Sequence, residues 1–395
     1  MDFRFNTEEE EFRQEVRQFL EEVLTPEFRE SLGGREWSKE LSMKMGARGW
    51  LSLAWPREYG GQARSHMEQL VFHEEMARYD APIEWHRRAA EQHGYAMLIY
   101  GTEEQKKKFV PMIASGQMSI ANCMSEPEAG SDLANVQTRA ARDGNDYILN
   151  GQKRWTSGAH FSDYGWLLAM TDPQAPRHRG LSLFIVDLHS PGVEIRPMPD
   201  MRGVASTNEV FLDNVRVPEL YRIGPEDRGW YVNAVLMDFE RSGIENVVRN
   251  ERTIDTLMEL FQEYSRAEGH TERATLLRHR LAQLKIEVGL SRLLSYRIVW
   301  MQSEGQVPNY ETSMAKIFKT ELSQRIAKFG MDLFGYYGHI TSDSGPAFLQ
   351  EPKWLQFQRE IEDMYLWSCS STIAQGTSEI HRNIIATRGL GLPRG

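Results

Sequence analysis

A mainly α protein with a central β domain is the fold class this sequence predicts, and three observations predict it. Apolar residues recur at three- and four-residue spacing from Thr7 to about Gln117. Short apolar runs set between Gly, Pro, Asp and Asn occupy about Met118 to Gly224. Helical periodicity then returns after Gly229 and holds nearly to the C-terminus. That order suits two helical domains flanking a small barrel or sandwich, divided as 1–117, 118–224 and 225–395. At 395 residues the chain exceeds one ordinary core, which agrees with such a division.

Taken in order, Thr7 with Glu10 matches a capping box that opens the first helix, whose Phe12, Val16, Phe19, Leu20 and Val23 follow at helical spacing. Gly60-Gly61 and Pro82 punctuate the helices, and Thr102 with Gln105 is a second capping box. Tyr147-Ile148-Leu149, Trp166 to Met170, Ser182 to Val186 and Glu209 to Leu212 read as short alternating strands. Trp230 to Val248 reads as one amphipathic helix. There is no internal repeat and no low-complexity segment.

Apolar residues make up 41% and charged residues 26%, the balance of a folded globular chain. Net charge is −10, from 46 basic against 56 acidic residues, which argues against nucleic acid as a partner. It leaves room for a local basic patch at a phosphorylated cofactor. Cys123 and Cys369 cannot build a disulfide framework and suggest a reducing compartment. No apolar run approaches membrane-spanning length, and the opening Met1 to Asn6 leads into an acidic stretch unlike a secretory or mitochondrial leader. A cytoplasmic bacterial enzyme is the expectation. No His, Cys and carboxylate cluster shows ligand spacing, so no metal is expected.

On the 230–248 segment, Leu236, Met237, Glu240, Gly243, Ile244, Val247 and Val248 share a face, and Glu240 is its lone carboxylate. A carboxylate on an apolar stripe is raised from about 4.3 toward neutrality, the condition a general base requires. The residues alone leave a second reading open, a buried Glu paired with Arg241 or Arg249.

Three segments carry the chemistry: Ser125-Glu126-Pro127-Glu128-Ala129-Gly130-Ser131-Asp132, Gly151-Gln152-Lys153-Arg154-Trp155-Thr156-Ser157-Gly158 and Gln375-Gly376-Thr377-Ser378-Glu379-Ile380-His381-Arg382. Each sets small or hydroxyl residues where backbone N–H groups reach an anion, and one adds an indole. Seen singly, they are a punctuated loop, ordinary barrel packing of a Trp and a routine N-cap. Together, in this order, they resemble the acyl-CoA dehydrogenases, FAD enzymes that remove two hydrogens across Cα–Cβ of an acyl-CoA thioester and pass electrons to an electron-transfer flavoprotein. The resemblance implies an N-terminal helical domain, a small β-barrel and a C-terminal four-helix bundle. It implies that Asn122, Met124, Ser125, Gly130, Ser131, Trp155, Ser157, Thr377 and Glu379 contact FAD, and that Ser131, Asp238 and Arg241 meet the CoA portion. Much of the family carries its base just before the Gly-Thr of the third segment, where this chain has Gln375, an amide that cannot abstract a proton. One branch, including the isovaleryl-CoA dehydrogenases, carries it in an Asp-x-Glu-Arg pattern, intact here as Asp238-Phe239-Glu240-Arg241. Glu240 is therefore the expected base, and the Gln375 N–H the expected donor to the thioester oxygen.

The chain also departs from the family. The Arg and Phe, three residues apart, that reach a neighbour's FAD in many relatives are missing from Phe261 to His270, and the later Gly-rich segment is altered to Phe334-Gly335-Tyr336-Tyr337-Gly338. Arg266 or Arg273 is a candidate for the adenosine end of FAD. A homotetramer is expected, with a hetero-oligomer open because some steroid-degrading relatives without that pair work as two unlike subunits. Trp85 to His93 lies where relatives line the acyl cavity; Arg87 or Arg88 would meet a polar group there, and a solvated helix face is the plainer expectation. Two other activities fit the same fold: a non-catalytic, flavin-binding partner subunit, and a flavin monooxygenase.

Overall fold

The computed structural model describes residues 4–83, 88–239, 242–269, 271–339 and 347–393. They form two compact units. One holds Arg17–Ser65 and Ala81–Glu240, the other Met1–Val16, His66–Asp80 and Arg241–Gly395.

The helices preceding the sheet are α1 (Thr7–Val23), α2 (Pro26–Leu32), α3 (Lys39–Ala47), α4 (His66–Arg78), α5 (Tyr95–Tyr100) and α6 (Glu103–Ala114). The first capping box sits one residue before the expected pair. Asn6 Oδ1 accepts from the Glu9 N–H at 2.9 Å and Glu9 Oε2 from the Asn6 N–H at 2.8 Å, because Asn is the stronger N-cap. The second is as expected, with Gln105 N–H donating to Thr102 Oγ1 at 3.3 Å and Thr102 N–H to Gln105 Oε1 at 2.8 Å. Between α4 and α5 the backbone widens into a π-helical turn over Ala89–Gly94. Ala89, Ala90, Gln92 and His93 of this turn are buried, and Arg88, one of the two residues expected on a solvated face, is half-buried. Glu84 to Arg87 lie outside the described residues.

The first unit carries, among the described residues, one mixed sheet of β1 (Ile120–Cys123), β2 (Arg139–Asp143), β3 (Asp146–Lys153), β4 (Tyr164–Met170), β5 (Leu181–Asp187), β6 (Val193–Met198), β7 (Thr207–Pro218) and β8 (Arg222–Ile223). Its order is β6-β7-β3-β2-β4-β5-β8, with β1 parallel to β4. The expected alternation fails in β4 and β5, whose central residues are buried on both faces, as strands covered on both sides are. Strands three places apart in a flat sheet stand roughly 14 Å apart. Yet Tyr147 of β3 and Phe184 of β5 bring ring centroids to 5.0 Å. The sheet therefore curls around a shared core that also holds Leu149, Leu167, Val186, Val210, Leu212 and Val217. Helix α7 (Gly229–Phe239) follows it.

In the second unit α8 (Ile244–Glu268), α9 (Glu272–Ser303), α10 (Tyr310–Phe334) and α11 (Pro352–Ser371) contribute to one core that includes Leu257, Leu281, Phe329 and Trp354. The single helix expected over Trp230 to Val248 is in fact two, ending at Phe239 and restarting at Ile244. Gly243 is the reason. It caps α8 at φ 61° and ψ 30°, a left-handed conformation that glycine adopts freely. A Cβ there would stand 1.6 Å from the Lys319 Nζ. A short helix, α12 (Ser378–Ile384), comes last. The start of α1 is tied into this unit by buried charge: Arg13 Nη1 donates to Glu74 at 3.0 Å and to Glu75 at 2.8 Å, and Tyr296 O–H donates to Glu74 at 2.6 Å. Two buried carboxylates so paired avoid the penalty of unpartnered ones.

Gly94 marks the tightest approach beside the π turn, where an added Cβ would fall 2.0 Å from Cζ2 of the buried Trp55. Gly94→Ala is expected to destabilise the protein by about 1–3 kcal/mol. A lower thermal midpoint would show this; an unchanged midpoint would mean that Trp55 shifts freely.

Candidate active site

The first two chemical segments meet through one ammonium. Lys153 ends β3 fully buried, and its Nζ donates to Leu168 O at 2.6 Å, Glu126 Oε1 at 2.7 Å and Met124 O at 3.2 Å. All three protons of the group are used. Glu126 also accepts the N–H groups of Gln137 at 2.5 Å and Thr138 at 3.0 Å. Burial by itself would raise the Glu126 carboxyl, but Lys153 and these N–H donors outweigh it and hold it below its usual value. Burial lowers the Lys153 ammonium, and Glu126 offsets part of that. The loop after β1 is thereby stapled to the end of β3. Sequence reasoning passed over both residues, although Tyr147, Leu149, Gly151 and Lys153 fall at the two-residue period that put Lys153 on the apolar face.

Just beyond the staple the chain turns sharply. Arg154 N–H donates to Ser125 O at 2.8 Å. Trp155 has φ 62° and is 58% exposed, with the Arg154 guanidinium 4.7 Å from its ring centroid. A bulky residue in that conformation is strained by about 1–3 kcal/mol and persists only where neighbours over-determine it. Here Thr156 and Asn208 exchange N–H···O bonds at 3.0 Å each, Asn208 Nδ2 adds a bond to Thr156 O at 2.8 Å, and Gly158 N–H donates to Ser206 O at 3.1 Å. Trp155 is thus not barrel packing but an indole held out of the core. Ser157 is half-buried next to it. Glu126 and Ala129 close a tight turn that leaves Gly130 and Ser131 exposed, and no hydrogen bond among the described residues takes their N–H groups. Ser206 Oγ, beside the 155–158 turn, is buried without a partner. An exposed planar ring, unclaimed N–H donors and a buried unpartnered hydroxyl in one unit fit a flavin with its pyrophosphate.

Asn122 sits on β1. Its Nδ2 donates to Gln92 Oε1 at 3.3 Å and its Oδ1 faces His93 Nε2 at 2.7 Å. Burial pushes His93 down to about 3, so the ring is neutral and gives its Nε2–H to Asn122. Neither Gln92 nor His93 stood out in the sequence, and the π turn that aims both at one amide has no periodic signature. Arg88 is half-buried at the start of that turn, while Arg87 lies outside the described residues.

The third segment belongs to the other unit. Gln375 has φ 58° and Gly376 φ 93°. Thr377 caps α12 by accepting the Ile380 N–H at 3.2 Å, and Glu379 is exposed. Gln375 O takes His381 Nε2 at 3.1 Å, and Gly376 O takes Lys316 Nζ at 2.8 Å. Of the adenosine candidates, Arg273 donates to Asp332 O at 2.9 Å and Arg266 is exposed. The backbone of Asp238 lies at the end of α7, while Glu240 and Arg241 lie outside the described residues.

With this geometry in hand, the family models for acyl-CoA dehydrogenase match the chain throughout: the N-terminal domain over residues 6–117, the middle domain over 121–215 and the C-terminal domain over 227–390. The chain belongs to the acyl-CoA dehydrogenase family, oxidoreductases that use FAD. It is 33% identical to acyl-CoA dehydrogenase FadE26 of Mycobacterium tuberculosis over 100% of this chain and 99% of that protein. It is 34% identical to acyl-CoA dehydrogenase IpdE1 of the same organism over 98% of each. Among solved structures, a chain of the ChsE4-ChsE5 complex from Mycobacterium tuberculosis is 33% identical and superposes with a TM-score of 0.84, covering 100% of both chains. A chain of the Tcur3481-Tcur3483 steroid ACAD is 31% identical with a TM-score of 0.85, again over 100% of both. The fold is the N-terminal helical domain, middle β domain and C-terminal helical domain of that family.

Removing one partner of the staple leaves a buried charge alone. Lys153→Met is expected to lower stability by about 3–5 kcal/mol, and Lys153→Met with Glu126→Gln by clearly less, in a double-mutant unfolding cycle. Because the Glu126 carboxyl is lowered in the folded state, its contribution is complete above the unfolded carboxylate value of about 4.3 and drains away as pH falls through the folded value. Stability of the Glu126→Gln protein should then fall less steeply in acid than that of the parent.

Proposed function

We propose that the protein dehydrogenates an acyl-CoA thioester to the trans-2-enoyl-CoA, with Glu240 taking the α-proton. The observation that carries this is the pairing of an amide, Gln375, at one family position for the base with an intact Asp238-Phe239-Glu240-Arg241 at the other. Gln375 keeps a role that needs no carboxylate. Its backbone N–H, in a strained left-handed turn, donates to the thioester oxygen and eases loss of the α-proton. Asp238, Arg241 and Ser131 hold the CoA portion, a guanidinium suiting its phosphates. Trp155 packs on the flavin ring with Ser157 and Met124 beside it, and Ser125, Asn122, Gly130, Ser131, Thr377 and Glu379 hold the rest of the cofactor. FAD supplies the acceptor for the hydride that leaves Cβ.

A steroid-derived acyl group is the proposed substrate class, since one relative 31% identical over its whole length is a steroid ACAD. Electrons pass to an electron-transfer flavoprotein, in line with a relative 26% identical that is a subunit of a caffeyl-CoA reductase-Etf complex of Acetobacterium woodii. Two relatives are complexes of unlike chains, and they favour a hetero-oligomer over the homotetramer that the family resemblance implies. No helix of the described residues is long and apolar enough to cross a membrane, and a cytoplasmic role in lipid degradation is part of the proposal.

Glu240→Gln should retain FAD yet abolish flavin reduction by an acyl-CoA that reduces the wild type. Removal of a general base costs at least about 10² in rate. Undiminished reduction would remove Glu240 from the mechanism.

A further inference from the structure

We propose that His381 and Lys316 are positioning residues that hold the Gln375–Gly376 turn so that the Gln375 N–H faces the substrate thioester oxygen. The inference deepens the dehydrogenation proposed above and rests on it.

Two successive residues of positive φ, Gln375 at 58° and Gly376 at 93°, make a turn that a Gln does not keep unaided. Two side chains grip its carbonyls. Gln375 O accepts from His381 Nε2 at 3.1 Å. A carbonyl only accepts, so Nε2 carries the proton. On the other side of the ring, Nδ1 lies 3.0 Å from Ser313 Oγ. Lys316 Nζ donates to Gly376 O at 2.8 Å and to Ser371 O at 3.1 Å, spanning the loop between α11 and α12. A Cβ at Gly376 would stand 3.0 Å from His381 Nε2, so the imidazole also fills one side of the turn. Burial, with Lys319 nearby and Glu321 and Glu379 opposing, pushes the Lys316 ammonium down to about 8. Both of these bonds go to backbone carbonyls.

The chemical need is directional. With φ of Gln375 set and its carbonyl pinned, the N–H on the other side of its Cα is aimed as well. A donor stabilises an enolate-like oxygen only if it points there before the charge develops. Misplacement by about 1 Å costs on the order of 10² in rate.

The test uses FAD-loaded protein and a 3-thiaacyl-CoA, whose α-protons can leave while sulfur at the β-position offers no hydride. Exchange of those protons with deuterated water is followed by NMR, and affinity for the same compound by titration. Expected for His381→Phe and Lys316→Met is exchange about 10- to 100-fold slower, with affinity changed by less than about threefold. His381→Gln, which keeps an N–H donor, should regain most of the rate. Ser313→Ala, the mildest change, should slow exchange severalfold and serves if His381→Phe fails to fold. Wild-type exchange in all variants would overturn the inference alone. So would His381→Gln as slow as His381→Phe with affinity lost in parallel, the mark of a merely structural residue. A wild type that exchanges no α-proton would sink the dehydrogenase proposal, and this inference with it.

Discussion

The Lys153 ammonium is the point on which the candidate flavin surface depends. It sits fully buried at the end of β3 and holds Glu126, Met124 O and Leu168 O at once. The segment that offers exposed N–H groups at Gly130 and Ser131 and the segment that offers the Trp155 indole come from separate stretches of chain. Besides the ammonium, one backbone bond joins them, from the Arg154 N–H to Ser125 O at 2.8 Å. A buried cation with all its donors used, and a buried carboxylate with both oxygens used, give a junction with one low-energy arrangement.

The same logic recurs on the C-terminal segment with different parts. Trp155 and Gln375 both lie in the left-handed region where large residues are strained. In each case side chains grip the backbone around the strained residue. Asn208 grips Thr156, while His381 and Lys316 grip the carbonyls of Gln375 and Gly376. The strained residue is left with an outward-facing ring in one case and a fixed peptide in the other. Rigid scaffolding around a small number of presented groups is what electrostatic preorganisation needs.

Features set by local bonding were legible in the sequence. The Thr102–Gln105 capping box is complete within four residues and formed as read. The box at the first helix slipped by one residue because Asn6 and Thr7 compete for the same role. Features set by distant partners were not legible. The break after Phe239 turns on a left-handed Gly243 with Lys319 packed over it, and no spacing within 230–248 encodes that lysine. The pairing of Gln92 and His93 with Asn122 depends on a π turn meeting a strand about thirty residues further along. Lys153 falls between these cases, since its place in the two-residue period of β3 was visible but its partner was not. The family motifs were recognisable as words before the bonds that hold them in place could be known.

Two hydrogens leaving adjacent carbons of a thioester, with no oxygen taken up, is the claim at the centre of this account. An anaerobic titration of the FAD-loaded protein with a steroid side-chain acyl-CoA tests it most directly. Loss of oxidised-flavin absorbance, with one equivalent of 2-enoyl-CoA formed, is the predicted result. Flavin that stays oxidised across a panel of acyl-CoAs, or turnover that needs oxygen and yields a hydroxylated product, would contradict it.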